Sequence, residues 1–143
     1  MSEIADKTFW DSNLWIYITV DSQNDDDKIK KQVLTKLFLS TDRIVISSQV
    51  LNEIVNVMLR KFKKTEEEAK IVIKKIIEQS TIIELKPEHS LVALDLKKSY
   101  NFSWFDSLIV AAALDSNCNI LYSEDMQNGL IIKDRLKIIN PLL

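Results

Sequence analysis

The chain has 143 residues, 46% hydrophobic and 28% charged, proportions that suit one globular domain able to bury a core without covalent staples. A single His (His89), a single Cys (Cys118) and a single Gly (Gly129) exclude an internal disulfide and the glycine-rich loops that cradle dinucleotides or triphosphates. The formal charge of -2 excludes capture of nucleic acid by a net positive field, so a polyanion has to meet a local basic patch.

The N-terminal stretch carries Glu3 and Asp6 where a secretory signal needs a basic and then an apolar segment, and the lone Cys118 suits a reducing compartment; a cytoplasmic protein is expected. Residues 8–10 form a short apolar run, read as a first strand, that stops at Asp11-Ser12-Asn13, residues that cap helices; Leu14 to Ile18 then opens a short helix. Beyond a polar loop at 22–27, Ile29, Val33, Leu34, Leu37 and Phe38 recur at helical spacing, and Arg43-Ile44-Val45-Ile46 is a second strand. Ser47-Ser48 opens a helix whose apolar stripe is Leu51, Ile54, Val55, Met58, Leu59 and Phe62, with Glu53 in its first two turns and off the stripe's centre.

Thr65-Glu66-Glu67-Glu68 is a capping box for a helix that turns Ala69, Val72, Ile73, Ile76 and Ile77 inward, and residues 81–85 are a third strand. Pro87 suits the first turn of a helix carrying Leu91, Leu94 and Leu96. Ser103-Trp104-Phe105-Asp106 caps a strongly apolar helix whose run at 108–114 is too short to span a membrane and reads as a buried helix. That run, flanked by Trp104 and Phe105, also carries more apolar surface than one sheet contact requires, which suggests a second copy of the chain as partner. Asn119-Ile120-Leu121-Tyr122 is a fourth strand, residues 123–129 a polar turn, and residues 136–139 a fifth strand.

Strands alternating with helices, without tight-hairpin signals, predict a single α/β domain over residues 1–143, its sheet mainly parallel with four to five strands and helices on both faces. Such sheets collect ligands at the carboxyl ends of their strands. Asp11 ends the first strand, Glu53 follows the second and Asp125 follows the fourth, while Asp106 opens the helix leading into the fourth. Each has an ordinary reading: Asp11 as an N-cap, Asp106 as the acid of a capping box, Glu53 as a solvated helix residue, Asp125 as a turn former beside a solvated Glu124. Together, four converging carboxylates repel one another and need a cation between them. A hard divalent ion, Mg²⁺ or Mn²⁺, suits an all-oxygen site and can activate water for attack on a phosphodiester.

The segments Thr8-Phe9-Trp10-Asp11-Ser12-Asn13, Ser48-Gln49-Val50-Leu51-Asn52-Glu53, Trp104-Phe105-Asp106-Ser107-Leu108-Ile109-Val110-Ala111-Ala112-Ala113 and Ile120-Leu121-Tyr122-Ser123-Glu124-Asp125-Met126 resemble, in order and spacing, the motifs of PIN domains. They are most similar to the small ribonuclease toxins of bacterial VapBC toxin–antitoxin pairs. The resemblance implies a three-layer α/β/α sandwich, Mg²⁺- or Mn²⁺-dependent endonucleolytic cleavage of RNA, an antitoxin partner and a homodimer. Asp11, Glu53, Asp106 and Asp125 would be the metal-binding quartet, supported by hydrogen bonds from Asn13 and Ser123. Ser12 and Ser123 stand where the family usually has Thr, a change that keeps the hydroxyl.

Arg60, Lys61, Lys63 and Lys64 form the one dense basic segment. They read either as cations suited to a helix C-terminus or, with Lys97 and Lys98, as residues that steer phosphates toward the acidic site. A haloacid-dehalogenase-like phosphatase would need an Asp where Asn13 stands. The competing non-enzymatic reading is a PIN-like RNA-binding or regulatory scaffold whose acids serve only as caps.

Overall fold

The computed structural model describes residues 6–143, so the N-terminal acid Glu3 lies outside the described residues. Along the chain run β1 (Lys7–Trp10), α1 (Ser12–Thr19), α2 (Asp25–Leu39), β2 (Arg43–Ser47), α3 (Ser48–Arg60), α4 (Glu66–Gln79), β3 (Thr81–Ile83), α5 (Pro87–Tyr100), α6 (Trp104–Asp115), β4 (Ile120–Tyr122), β5 (Ile131–Ile132) and β6 (Leu136–Ile139). The sheet order is β3-β2-β1-β4-β6-β5. Every neighbouring pair is parallel except β5 with β6.

From β1 the chain steps outward to β2 and β3, then returns across the sheet to β4, so the strand order reverses between β1 and β4. Because parallel crossovers are right-handed, steps in opposite directions lay their helices on opposite faces. α1 to α4 accordingly pack among themselves, α1 on α2 and α3, α3 on α4, while α5 packs on α6. The result is the α/β/α sandwich expected from the sequence. α6 runs back against the strand direction on its way into β4, which puts its N-terminus at the carboxyl edge of the sheet.

Burial on both faces explains the apolar strands. Phe9 and Trp10 are fully buried neighbours on β1 that point to opposite sides. Trp10 sits among Trp15, Phe38 and Tyr122 at ring separations of 5.8, 6.1 and 5.4 Å, and its indole N–H donates to Thr8 Oγ1 at 3.0 Å. In α6, Ser107 through Leu114 are all buried, as an all-round apolar helix requires. No helix among the described residues is long and apolar enough to cross a membrane.

Several expectations need correction. The sheet has six strands, because Ile131–Ile132 pairs antiparallel with β6 across the turn at Lys133 and Asp134, both left-handed without being Gly. β3 ends at Ile83, since Leu85 instead donates its N–H to Ser48 Oγ. The α6 run leaves no apolar face for a second copy of the chain; only Phe105, 62% exposed, projects from that helix's first turn.

On α5 the inward residues are His89, Ala93 and Leu96, while Leu91 and Leu94 face outward, because a small Ala lets α5 approach α6 closely. Ile29, Val33 and Ile77 are likewise exposed. His89, polar and near a helix start, does more than face solvent. Its Nδ1 accepts the Lys86 N–H at 2.8 Å, so Nε2 carries the proton and donates to Asp115 at 2.8 Å, which caps α5 and ties it to α6. His89→Ala is therefore expected to lower the free energy of urea unfolding by about 1–3 kcal/mol. An unchanged midpoint would deny His89 this capping role.

Candidate active site

The carboxyl ends of β1 and β4 meet at the reversal point of the sheet, where ligands collect in doubly wound folds. Asp11 is the first residue beyond β1. It caps α1, with Oδ1 accepting the Ser12 N–H at 2.7 Å, and Oδ2 accepting the Ser123 hydroxyl at 3.0 Å. The cap reading is thus met by Oδ1, and Oδ2 reaches across to the residue that follows β4. Ser123, fully buried just after β4, also accepts the N–H groups of Asp125 and Met126 at 3.3 and 3.4 Å, which folds the following loop around its hydroxyl. Asn13 Nδ2 donates to Asp125 Oδ2 at 2.8 Å across that loop.

Glu53 and Asp106 come from helices on opposite faces of the sheet, and Gln49 joins them. One α-helical turn before Glu53, its Nε2 donates to Glu53 Oε1 at 2.9 Å and to the Phe105 carbonyl at 3.3 Å. Sequence reasoning passed over Gln49, although its i, i+4 relation to Glu53 is a recognisable side-chain spacing. The capping box at Ser103 is only half made: the Asp106 N–H donates to Ser103 Oγ at 3.2 Å, while a side-chain hydrogen bond with Ser103 works against the rise of the Asp106 carboxyl. Glu124 is not solvated; it accepts from the Tyr17 hydroxyl at 3.2 Å and pairs with Lys30 at 3.5 Å.

Burial raises the Asp11 carboxyl from the ordinary 3.8 to about 6, against the lowering effect of the Ser12 and Ser123 hydrogen bonds and with added repulsion from Glu53 and Asp106. Burial also raises Asp106, with repulsion from Asp125 and Glu53. Each acid of the quartet is therefore felt by at least one other. Among the described residues none of the four is in an ion pair with a Lys, Arg or His.

The donor chemistry fits a hard divalent cation: carboxylate oxygens that repel one another, with the buried, unpartnered Gln49 Oε1 as a further acceptor beside Glu53. No three His, Cys, Asp or Glu side chains among the described residues already stand arranged to hold a metal ion. The fit is one of charge and donor type, with the side chains needing to close on an ion. Cys118 is buried, its thiol pushed up to about 11, and takes no part.

Of the basic residues, Arg60 lies in the last turn of α3 and Lys61 caps it, while Lys63 adopts the left-handed conformation just beyond. Only Lys61 lines the cavity that reaches Asn13; Arg60, Lys63 and Lys64 do not. Lys97 and Lys98 fall in the last turn of α5, where cations suit the helix dipole.

A model of the PIN domain family matches residues 8–127, and the chain belongs to that family. The match spans all four acids. Among solved structures the fold is similar to that of VapC20 from Mycobacterium tuberculosis, described as a sarcin-ricin loop cleaving toxin, with a TM-score of 0.67 and 14% identity over 83% of this chain and 90% of that one. It is also similar to a toxin–antitoxin complex from Klebsiella pneumoniae (TM-score 0.70, 14% identity, 94% of this chain and 98% of that one). A third is VapBC2 from Rickettsia felis bound to a DNA fragment from its promoter (0.58, 19%, 82% and 87%). No curated protein matches the chain.

The Asp11 shift has a defined sign. An acid whose folded pKa lies above its unfolded value costs stability where both states are ionised and costs nothing where both are protonated. From 3.8 to about 6, the cost is full above pH 6 and vanishes below pH 4, and amounts to about 3 kcal/mol at most. Asp11→Asn removes it. In EDTA, the unfolding free energy of Asp11→Asn relative to wild type is expected to rise by up to about 3 kcal/mol between pH 4 and pH 7.5; a difference that stays flat with pH would contradict the burial of an ionised Asp11.

Proposed function

We propose that the protein is an endoribonuclease dependent on Mg²⁺ or Mn²⁺ and the toxin of a toxin–antitoxin pair. The observation that carries this reading is Asp11: a buried carboxylate at the reversal point of the sheet, raised to about 6 and repelled by two other acids, with no cation among the described residues paired to it. Such a group costs stability unless something else supplies positive charge. Membership of the PIN family supports nuclease chemistry, and the cited neighbours support the toxin assignment.

In this reading Asp11, Asp106 and Asp125 hold the ion, and Glu53 binds it or orients the attacking water. A bound divalent ion would lower the pKa of that water and stabilise the leaving oxygen. Ser123 fixes Asp11 through Oδ2, Asn13 fixes Asp125, and Gln49 fixes Glu53. His89 supplies no general base, since both ring nitrogens are engaged with Lys86 and Asp115. The likeness to toxin–antitoxin complexes supports an antitoxin partner, and the sequence resemblance supports a homodimer.

Asp11→Asn and Asp106→Asn are each expected to abolish cleavage of total RNA in Mn²⁺ while leaving the far-UV spectrum unchanged. Full activity in both variants rejects the assignment. The scaffold alternative is separated by calorimetric titration with Mn²⁺, where heat for the wild type and none for Asp11→Asn favours the enzyme. Absence of heat from both favours the scaffold.

A further inference from the structure

Beside the acidic centre, a cavity of about 560 Å³ opens between α1, the loop into α2 and the end of α3. Its volume lies in the range of roughly 300–1,000 Å³ found for small-molecule sites. Asn13, whose amide holds Asp125, forms part of its wall, so the cavity borders the carboxylate cluster at that residue. Lys28, Lys31 and Lys61 line it, as do the aromatic rings of Tyr17 and Phe62.

The charges in this cavity are not equivalent. Asp21 is paired with Lys31, and Asp27 accepts the Ser22 hydroxyl at 3.0 Å. Lys28 and Lys61 are in no ion pair among the described residues. Two cations without an acidic partner among the described residues, one from the first turns of α2 and one capping α3 with its Nζ 5.5 Å from the Phe62 ring centroid, therefore line a space with aromatic side chains. Lys30 stands 4.9 Å from the Tyr17 ring centroid and donates to its hydroxyl at 3.2 Å, and that hydroxyl donates to Glu124. The ring is held by the same residue that precedes Asp125 in the β4 loop.

From this we infer that the cavity is a nucleotide subsite: it takes a nucleotide of single-stranded RNA flanking the scissile phosphate, with Lys28 and Lys61 on backbone phosphates and the base against Tyr17 or Phe62. Phosphate contacts supply affinity and unstacked bases settle on aromatic rings in single-strand recognition. The inference rests on the ribonuclease reading for its choice of ligand. It also explains how an acidic chain meets a polyanion: the cations line a cavity beside the carboxylates rather than surrounding them.

The test is fluorescence anisotropy of a 5′-fluorescein-labelled twelve-nucleotide uridine RNA with full-length protein in EDTA, together with cleavage of the same oligonucleotide in Mn²⁺. Lys28→Glu with Lys61→Glu is expected to weaken binding about tenfold or more and to reduce the slope of log affinity against log salt by about 1.4, as two lost phosphate contacts on a single strand require. In cleavage, KM should rise while kcat changes little. If wild type cleaves and Asp11→Asn does not, yet the double variant keeps its affinity, salt slope and KM, the subsite is wrong and the nuclease reading survives. If no protein cleaves but binding depends on Lys28 and Lys61, the subsite stands and the nuclease reading fails. Both lysines are exposed, and an unchanged far-UV spectrum of the double variant separates lost contacts from lost fold.

Discussion

Mutual repulsion of carboxylates at one edge of the sheet is the constraint around which the rest of the molecule is organised. Solvent normally dissipates such repulsion, but Asp11 is buried and bonded to Ser12 and Ser123, so it cannot turn away. Two hydrogen bonds favour its ionised form, and burial outweighs them. The remaining acids are less confined: Asp106 and Glu53 are half-buried and Asp125 is exposed. A gradient of burial results, from the enclosed oxygen pair of Asp11 outward to the exposed Asp125. Donors of the right kind thus stand at different depths, without a preassembled ligand shell among the described residues.

Topology produces this convergence without any two of the acids being neighbours in sequence. A strand that steps one way and another that steps the other way leave a crevice between β1 and β4, and right-handed crossovers place α3 and α6 on opposite faces. Gln49 then spans the crevice, bonded to Glu53 on its own helix and to a backbone carbonyl at the start of α6. Its role is electrostatically economical, because a neutral amide orients a carboxylate without neutralising the charge that an ion would need. A Lys at the same position would pair with Glu53 and remove that charge.

The legible parts of the fold were those in which local chemistry and tertiary packing agree. Asp11 after an apolar run, Ser47 and Thr65 before helical stripes, and the buried residues of α6 all carry the same message at both levels. Asp106 was legible as a residue but weak as a placement, since its position depends on α6 running against the strands. The misses fall where packing overrules pattern. Leu91 and Leu94 look like an inward face, yet α5 lies against α6 through Ala93 and Leu96 because the approach is close. β5 is two residues long and its turn uses Lys and Asp in left-handed conformations, so neither periodicity nor a Gly signal marks it. His89 and Gln49 act through partners on other elements, and a single sequence holds no record of those distances.

The same separation of short-range from long-range order bears on charge. A net charge of -2 says little about binding, because fields from exposed charges fade over about 8 Å at physiological salt while the groups that matter lie on facing walls. Lys31 is paired with Asp21, whereas among the described residues Lys28 and Lys61 have no acidic partner and Lys61 lies over the Phe62 ring, so three lysines of equal standing in the sequence become unequal in the folded chain. The basic segment after α3 divides in the same way: Lys61 turns to the cavity, and Arg60 and Lys63 are left at a helix end where cations suit the dipole. Burial concentrates negative charge at the strand ends and pairing leaves positive charge beside it. The RNA ligand proposed above would satisfy both, with one phosphate near the acids and a neighbouring one near lysine.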